Sequence, residues 1–279
     1  MDKVKRNERI GAMIKILSST PNKSYTLTYF SDLFGSAKST ISEDIDIARE
    51  ALENYGLGTL RTVAGASGGV LYLPQPQPRE SLAFIKRLCR QLEDPGRILP
   101  GGFLYMLDLL SDPTVVSRMA EIISQWYAES QPDFVLTVET KGIPVALMTA
   151  KYLGVPLIIA RRDATITDGS VVTINYVTGS MRRIQTMSLP KRYIREGQRV
   201  LIVDDFMKGG GTARGLADMM KEFNVEVLGT AVVMSTVEPG QKLIGDYRSL
   251  MTLHNVDEIS RVVDVQPSVW LEINNEVKS

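Results

Sequence analysis

Two adjacent carboxylates, Asp204 and Asp205, run into Phe206, Met207 and Lys208, three glycines and Thr212, and no other stretch is as well equipped for chemistry. Neighbouring carboxylates accept hydrogen bonds from a vicinal diol, such as the 2′- and 3′-hydroxyls of a ribose. The backbone of Met207–Thr212 can curl into a nest of N–H donors around a phosphate. Gly209, Gly210 and Gly211 permit positive φ and close approach, and Thr212 can offer its hydroxyl at the start of a helix. Together these groups suit a sugar phosphate.

Something must hold them in place. Val200–Val203 is an unbroken apolar run, which predicts a central parallel strand covered by helices on both faces. In an open α/β sheet, the loop after such a strand is the usual ligand crevice. Other phosphate loops fit worse. A Walker A loop ends in Gly-Lys-Ser/Thr, whereas Lys208 precedes the glycines. The dinucleotide fingerprint breaks at Arg214, and its acidic residue would follow the glycines by about 20 residues rather than precede them. The order of apolar strand, Asp-Asp, three spacers and Gly-Gly-Thr resembles the 5-phosphoribosyl-1-pyrophosphate (PRPP) motif of the type I phosphoribosyltransferases.

A second junction has similar logic. In Thr137–Pro144 a strand end passes through Thr140, Lys141 and Gly142 into a helix. Backbone amides at a helix start, with a lysine beside them, suit a pyrophosphate. Arg161, Arg162, Arg182 and Arg183 supply further cations on neighbouring loops; Arg161 is the favoured one because it ends a core strand.

Composition narrows the field. With 44% apolar and 23% charged residues the chain reads as an ordinary globular protein, and no apolar run approaches the ~20 residues of a membrane span. A single cysteine, Cys89, forms no internal disulfide, so a cytoplasmic location is expected. Cys89 falls in the helical pattern Leu82, Ile85, Leu88, Leu92 and reads as a buried small hydrophobe. His254 is the only histidine, so neither a metal site nor a Ser-His triad is expected. Net charge is zero, yet through residue 38 there are seven bases (Lys3, Lys5, Arg6, Arg9, Lys15, Lys23, Lys38) against Asp2, Glu8 and Asp32.

That basic segment reads as helical. Residues 7–19 carry Ile10, Met13, Ile14 and Leu17 on one face, and Thr26 can cap a short second helix through Phe34. After Gly35 a third helix starts at once, turning Ile41, Ile45, Ala48 and Leu52 inward. Its first turn, with Ser36, Lys38, Ser39, Thr40 and Ser42, suits phosphate and base-edge contacts in a major groove. Arg6 and Arg9 are further phosphate-contact candidates. The acidic middle, Glu43, Asp44 and Asp46, should point away from DNA. Residues 58–63 and 70–73 read as two strands of a wing. Three prolines in Pro74–Pro78 mark a linker, giving domains 1–74 and 75–279.

Residues 79–93 predict a helix that bridges the domains, and 103–110 and 114–129 predict further helices. Beyond Pro132 strand and helix alternate as in a doubly wound α/β sheet, with 171–177 and 184–188 as an antiparallel flap and sheet-edge elements after 243.

The basic N-terminal helix, Lys38–Asp44, Ala64–Gly69, Ile98–Gly102, Thr140–Pro144, Ile184–Leu189 and Asp204–Lys208 are similar to the purine operon repressor family of Gram-positive bacteria. The resemblance implies a winged helix-turn-helix domain fused to a type I phosphoribosyltransferase-like domain. It also implies a homodimer without transferase activity, which binds double-stranded operator DNA of purine genes and whose operator binding PRPP weakens, with Mg²⁺ accompanying the effector. The same cradle suits a phosphorylated purine nucleotide such as guanosine tetraphosphate, with Phe206 or Phe103 stacking on the base. The rival reading is an active purine phosphoribosyltransferase with an accessory N-terminal domain.

Overall fold

In the computed structural model, α1 (Arg6–Ser19), α2 (Leu27–Phe34) and α3 (Lys38–Asn54) are followed by the antiparallel strands β1 (Thr59–Val63) and β2 (Gly69–Leu73). The residues described are 4–65, 68–162, 170–177 and 184–271. The Thr26 hydroxyl caps α2 by accepting from the Tyr29 amide at 3.1 Å. Gly35 ends that helix at φ 58°, a left-handed conformation that a Cβ would oppose. Ile41, Ile45, Ala48 and Leu52 of α3 close on Met13, Leu17 and Phe30, and Leu60, Val70 and Tyr72 of the hairpin cover them. Phe34 packs onto this core while Leu33 stays exposed. Arg49 straps α3 to the wing, donating to the Leu60 carbonyl at 2.6 Å and to the Thr62 hydroxyl at 3.1 Å.

The chain forms two compact units, one of Met1–Gln77 with Lys151–Gly154 and the other of the remaining residues from Pro78 on. The second unit begins with α4 (Pro78–Leu92), which packs along β11 (Tyr247–Asp257) and β12 (Val262–Pro267) of its own unit. Ile85, Leu88, Cys89 and Leu92 are buried at helical spacing, and burial pushes the Cys89 thiol up to about 12. Residues 103–104 are not helical. They form β4 (Phe103–Leu104), paired with β3 (Ile98–Leu99), because Gly101 and Gly102 at φ 88° and 70° reverse the chain between them. The helices there are α5 (Leu107–Ser111) and α6 (Pro113–Trp126), the latter capped by the Asp112 carboxylate.

The main sheet has six strands in the order β12-β11-β10-β9-β5-β6, where β5 is Phe134–Val138, β6 Leu157–Ala160, β9 Arg199–Met207 and β10 Glu226–Thr236. All neighbours run parallel except β12, which is antiparallel on the edge. The helices α7 (Ile143–Leu153) and α8 (Gly211–Glu222) follow β5 and β9. Val200 and Ile202 of β9 meet Leu216, Met219 and Met220 of α8 in the core.

The expected flap is a hairpin of β7 (Val171–Val177) and β8 (Ile184–Pro190). Its described part is anchored rather than free. Alternation puts Ile174, Tyr176, Met187 and Leu189 on one face, and that face joins the core against α8. Gly215 of α8 allows the approach, since a Cβ there would stand 2.9 Å from the Tyr176 Cβ. The hairpin tip, with Arg182 and Arg183, lies outside the described residues. No helix among the described residues is long and apolar enough to cross a membrane.

Candidate functional site

The central strand does not stop at Val203. β9 continues through both acids to Met207, with Asp204 opposite Val232 and Phe206 opposite Met234 of β10. Strand alternation therefore separates the motif's side chains. Asp204 is turned inward and only 9% exposed, Asp205 is half-buried, and Met207 is buried against Ala213 and Val232. Met207 thus offers a ligand its backbone alone.

Burial, the neighbouring charge of Asp205 and the hydrogen bond that a protonated Asp204 gives to the Asp205 carboxylate push the Asp204 carboxyl well above the usual range. The Asp205 amide, donating to Asp204 Oδ1 at 2.9 Å, and the Arg162 charge act the other way. Asp204 also abuts the β5–α7 junction. A Cβ on Gly142 would collide with its Oδ1 and would lie 2.8 Å from the Thr137 hydroxyl. Only glycine lets the two ligand loops approach this closely.

Past Met207 the chain turns through Lys208 and Gly209 to Gly210, whose φ of 78° is the one positive value among the three glycines. The first bond of α8 runs from the Arg214 amide to the Gly210 carbonyl at 2.9 Å. Amides earlier in the turn have no intrahelical acceptor and carry the positive end of the helix dipole. The Gly209 carbonyl accepts from the Leu243 amide at 2.9 Å, which fixes the loop's outer side.

These elements surround a cleft of about 480 Å³. Asp204, Asp205 and Lys208–Thr212 line its floor, and Lys141 and Arg162 bring cations. Gly102, Phe103, Leu107 and Leu110 form an apolar wall. Phe103 is 60% exposed and Phe206 half-buried, so both present ring surface to the cleft. Thr140 is exposed on the β5–α7 loop beside Lys141 but is not part of the lining.

Arg161 does not join the cleft lining. Its backbone bridges Ser188 through hydrogen bonds of 2.9 and 2.7 Å, and the residue is absent from the cleft lining, whereas Arg162 is present. Consecutive residues of extended backbone point to opposite sides, which accounts for Arg162 rather than Arg161 in the lining.

The N-terminal unit needs a similar correction. α3 starts at Lys38, so Ser36 belongs to the turn before it, its hydroxyl donating to the Phe34 carbonyl. Lys38, Ser39 and Ser42 are exposed on the first turns, and Thr40 is half-buried. Arg9 is not available to phosphates. It is buried, its Nε 2.6 Å from Asp44 Oδ2 and its Nη1 donating to the Val4 carbonyl. Asp44 does not face outward either; it is wholly buried and also receives Arg6 Nε at 3.1 Å. Arg6 remains half-exposed but is shared with Glu43 at 2.8 Å.

Residues 5–74 match the model of the bacterial purine repressor N-terminal domain, and residues 107–269 match that of the phosphoribosyl transferase domain. The chain is 43% identical to the purine biosynthesis transcriptional repressor of Bacillus subtilis (strain 168), over 96% of this chain and 94% of that one. The chain belongs to the bacterial purine repressor family. Another member, the purine biosynthesis transcriptional activator of Lactococcus lactis subsp. lactis (strain IL1403), is 40% identical over 94% of this chain and 97% of its own. Among solved structures, adenine phosphoribosyltransferase from Thermoanaerobacter pseudethanolicus superposes on 60% of this chain and 99% of its own with a TM-score of 0.53. At 20% identity that likeness establishes the phosphoribosyltransferase fold of the second unit.

In this member of the family, several cleft residues carry no sequence signal of their own. Gln185 and Thr236 reach the cleft because β8 begins and β10 ends beside it. Gly101 and Gly102 carried no site reading of their own, yet both line the cleft.

Proposed function

We propose that this protein is a DNA-binding transcription regulator of purine biosynthesis genes and that its cleft binds PRPP, which lowers its affinity for operator DNA. The carrying observation is the convergence of the acid pair, the α8 amide turn and Lys141 on one cleft, in a chain that also holds a winged helix. In this reading Asp204 and Asp205 hold the ribose hydroxyls, Met207–Thr212 hold the 5′-phosphate, and Thr140–Gly142 with Arg162 hold the pyrophosphate. Lys38, Ser39, Thr40 and Ser42 face DNA, with Ser36 and Arg6 at the margin. The active form is a homodimer.

Among the described residues no three His, Cys, Asp or Glu side chains gather to hold an ion on their own. The donors that line the cleft are carboxylates, which suit Mg²⁺ brought in on the ligand's diphosphate oxygens, with Asp205 the more accessible. The ion would neutralise ligand charge; recognition of the sugar and phosphates falls to the chain's own groups.

Losing Asp204 leaves the sugar hydroxyl without its buried carboxyl partner, costing about 1.5–3 kcal/mol, or roughly tenfold to a hundredfold in affinity. The test is a gel shift on upstream DNA of purine genes, with wild type and Asp204→Ala titrated by PRPP-Mg²⁺. Wild type should be released and the variant retained. Release of both at the same PRPP concentration removes the cleft as sensor.

A second reading, transferase activity, draws on the phosphoribosyl transferase match over 107–269. Radiolabelled adenine, guanine, hypoxanthine and xanthine, each incubated with protein and PRPP-Mg²⁺, separate the two. The regulator reading expects no turnover with any of them. A guanosine tetraphosphate competitor, stacking on Phe103 or Phe206, would displace PRPP from the same cleft.

A further inference from the structure

Beyond the phosphate loop, a second basic group lies just behind the cleft lining, one hydrogen bond from Thr236, which is part of that lining. Lys242 lies in the segment between β10 and β11, half-buried, and its Nζ donates to the Thr236 hydroxyl at 3.2 Å. Thr236 itself lines the cleft, beside Lys208. The Thr236 hydroxyl also makes contacts of 2.5 Å to the Glu238 carbonyl and 3.4 Å to the Lys208 carbonyl, so it ties three parts of this rim together.

The segment carrying Lys242 is fixed against the phosphate loop. The Leu243 amide donates to the Gly209 carbonyl, and a Cβ on Gly210 would stand 3.3 Å from the Leu243 nitrogen and 3.4 Å from Ile244 Cγ2. Lys242 is thus positioned by backbone contacts one residue away. Among the described residues it has no carboxylate within ion-pairing distance. Burial pushes its ammonium below the usual lysine range, the charge of Lys208 adds to this, and Glu238 opposes it. A part-buried ammonium beside a second lysine, with a neutral hydroxyl as its hydrogen-bonding partner, is a site that an anion would complete.

We infer that Lys242 is a ligand-binding residue of this cleft, joining Lys208 to hold the phosphate group seated on the α8 turn. This deepens the sugar-phosphate reading and rests on it. The cleft then carries cations at two separate places: Lys208 and Lys242 at the α8 turn, and Lys141 at the β5–α7 junction. It would select ligands with phosphate at both ends of a ribose over those with one.

The experiment is calorimetric titration of the full-length protein with PRPP-Mg²⁺, ribose 5-phosphate and inorganic pyrophosphate. Wild type, Lys242→Gln, Lys242→Arg and Lys141→Gln are compared, with thermal unfolding of each recorded. Lys242→Gln should weaken PRPP and ribose 5-phosphate about tenfold or more and leave pyrophosphate unchanged, with Lys242→Arg close to wild type. Lys141→Gln should show the opposite split, weakening pyrophosphate and sparing ribose 5-phosphate. PRPP binding by wild type and Lys242→Gln with the same affinity would overturn the role of Lys242 while leaving the sugar-phosphate reading intact. Failure of wild type to bind PRPP would overturn both. An equal loss of all three ligands in Lys242→Gln, with a lowered unfolding temperature, would make the residue structural and overturn the inference.

Discussion

The Arg9 guanidinium lies 2.6 Å from the Asp44 carboxylate, and both side chains are sealed inside the N-terminal unit, so α1 and α3 are joined by a buried ion pair. Removing one partner of such a pair leaves a charge without compensation, which costs about 3–5 kcal/mol. Arg6 still reaches Asp44, which favours the lower end of that range for Arg9→Ala. Chemical denaturation should show the N-terminal unit destabilised by about 3 kcal/mol, while the double change Arg9→Met with Asp44→Leu should recover most of the loss. If Arg9→Ala instead unfolds like wild type and loses only DNA affinity, the residue belongs to the DNA face after all.

Lys38 is the exposed base at the start of α3. Lys38→Ala should weaken DNA binding regardless of sequence and reduce the slope of log affinity against log salt by about one. Fluorescence anisotropy across a salt series reads both. An unchanged slope would count against docking through this helix.

Gly142 has no room for a side chain, because the Asp204 carboxylate and the Thr137 hydroxyl occupy the place of its Cβ. Gly142→Ala must displace Asp204 or the β5–α7 turn, at about 1–3 kcal/mol of stability. PRPP affinity should fall while DNA affinity stays at the wild-type value, since the change lies in the other unit. Unaltered PRPP affinity in calorimetry would show that Asp204 can move without consequence.

The raised carboxyl of Asp204 gives a pH signature. In the folded chain it holds its proton at pH values where the unfolded chain has released it. Its contribution to stability therefore falls as pH rises from the ordinary carboxylate range up through the folded-state value. Asp204→Asn removes this dependence. Its unfolding temperature should exceed that of wild type at neutral pH, and the gap should close as pH is lowered toward the usual carboxylate range. A gap constant across pH would place the carboxylate's ionisation outside the stability balance.

Much of this was readable from local order. Val200–Thr212 announced strand, acids and phosphate turn because the covered middle of a central parallel strand favours an apolar run and a phosphate turn needs glycine. The helical periods of Ile41–Leu52 and Met13–Leu17 marked the helical core of the N-terminal unit, and the proline run marked the linker. What local order could not decide was which way neighbouring side chains point once the elements are packed. Arg161 and Arg162 look alike as sequence, yet β6 ends so that one bridges Ser188 through its backbone and the other lines the cleft. Arg9 read as a free base on a basic helix, but Asp44, 35 positions away, draws it into the core. Lys242 lacked any motif, and the Leu243–Gly209 hydrogen bond brings its segment to the phosphate turn. Periodicity and turn chemistry act within a few residues of the chain, whereas a charge's partner and a cleft's lining depend on which distant elements the fold sets side by side.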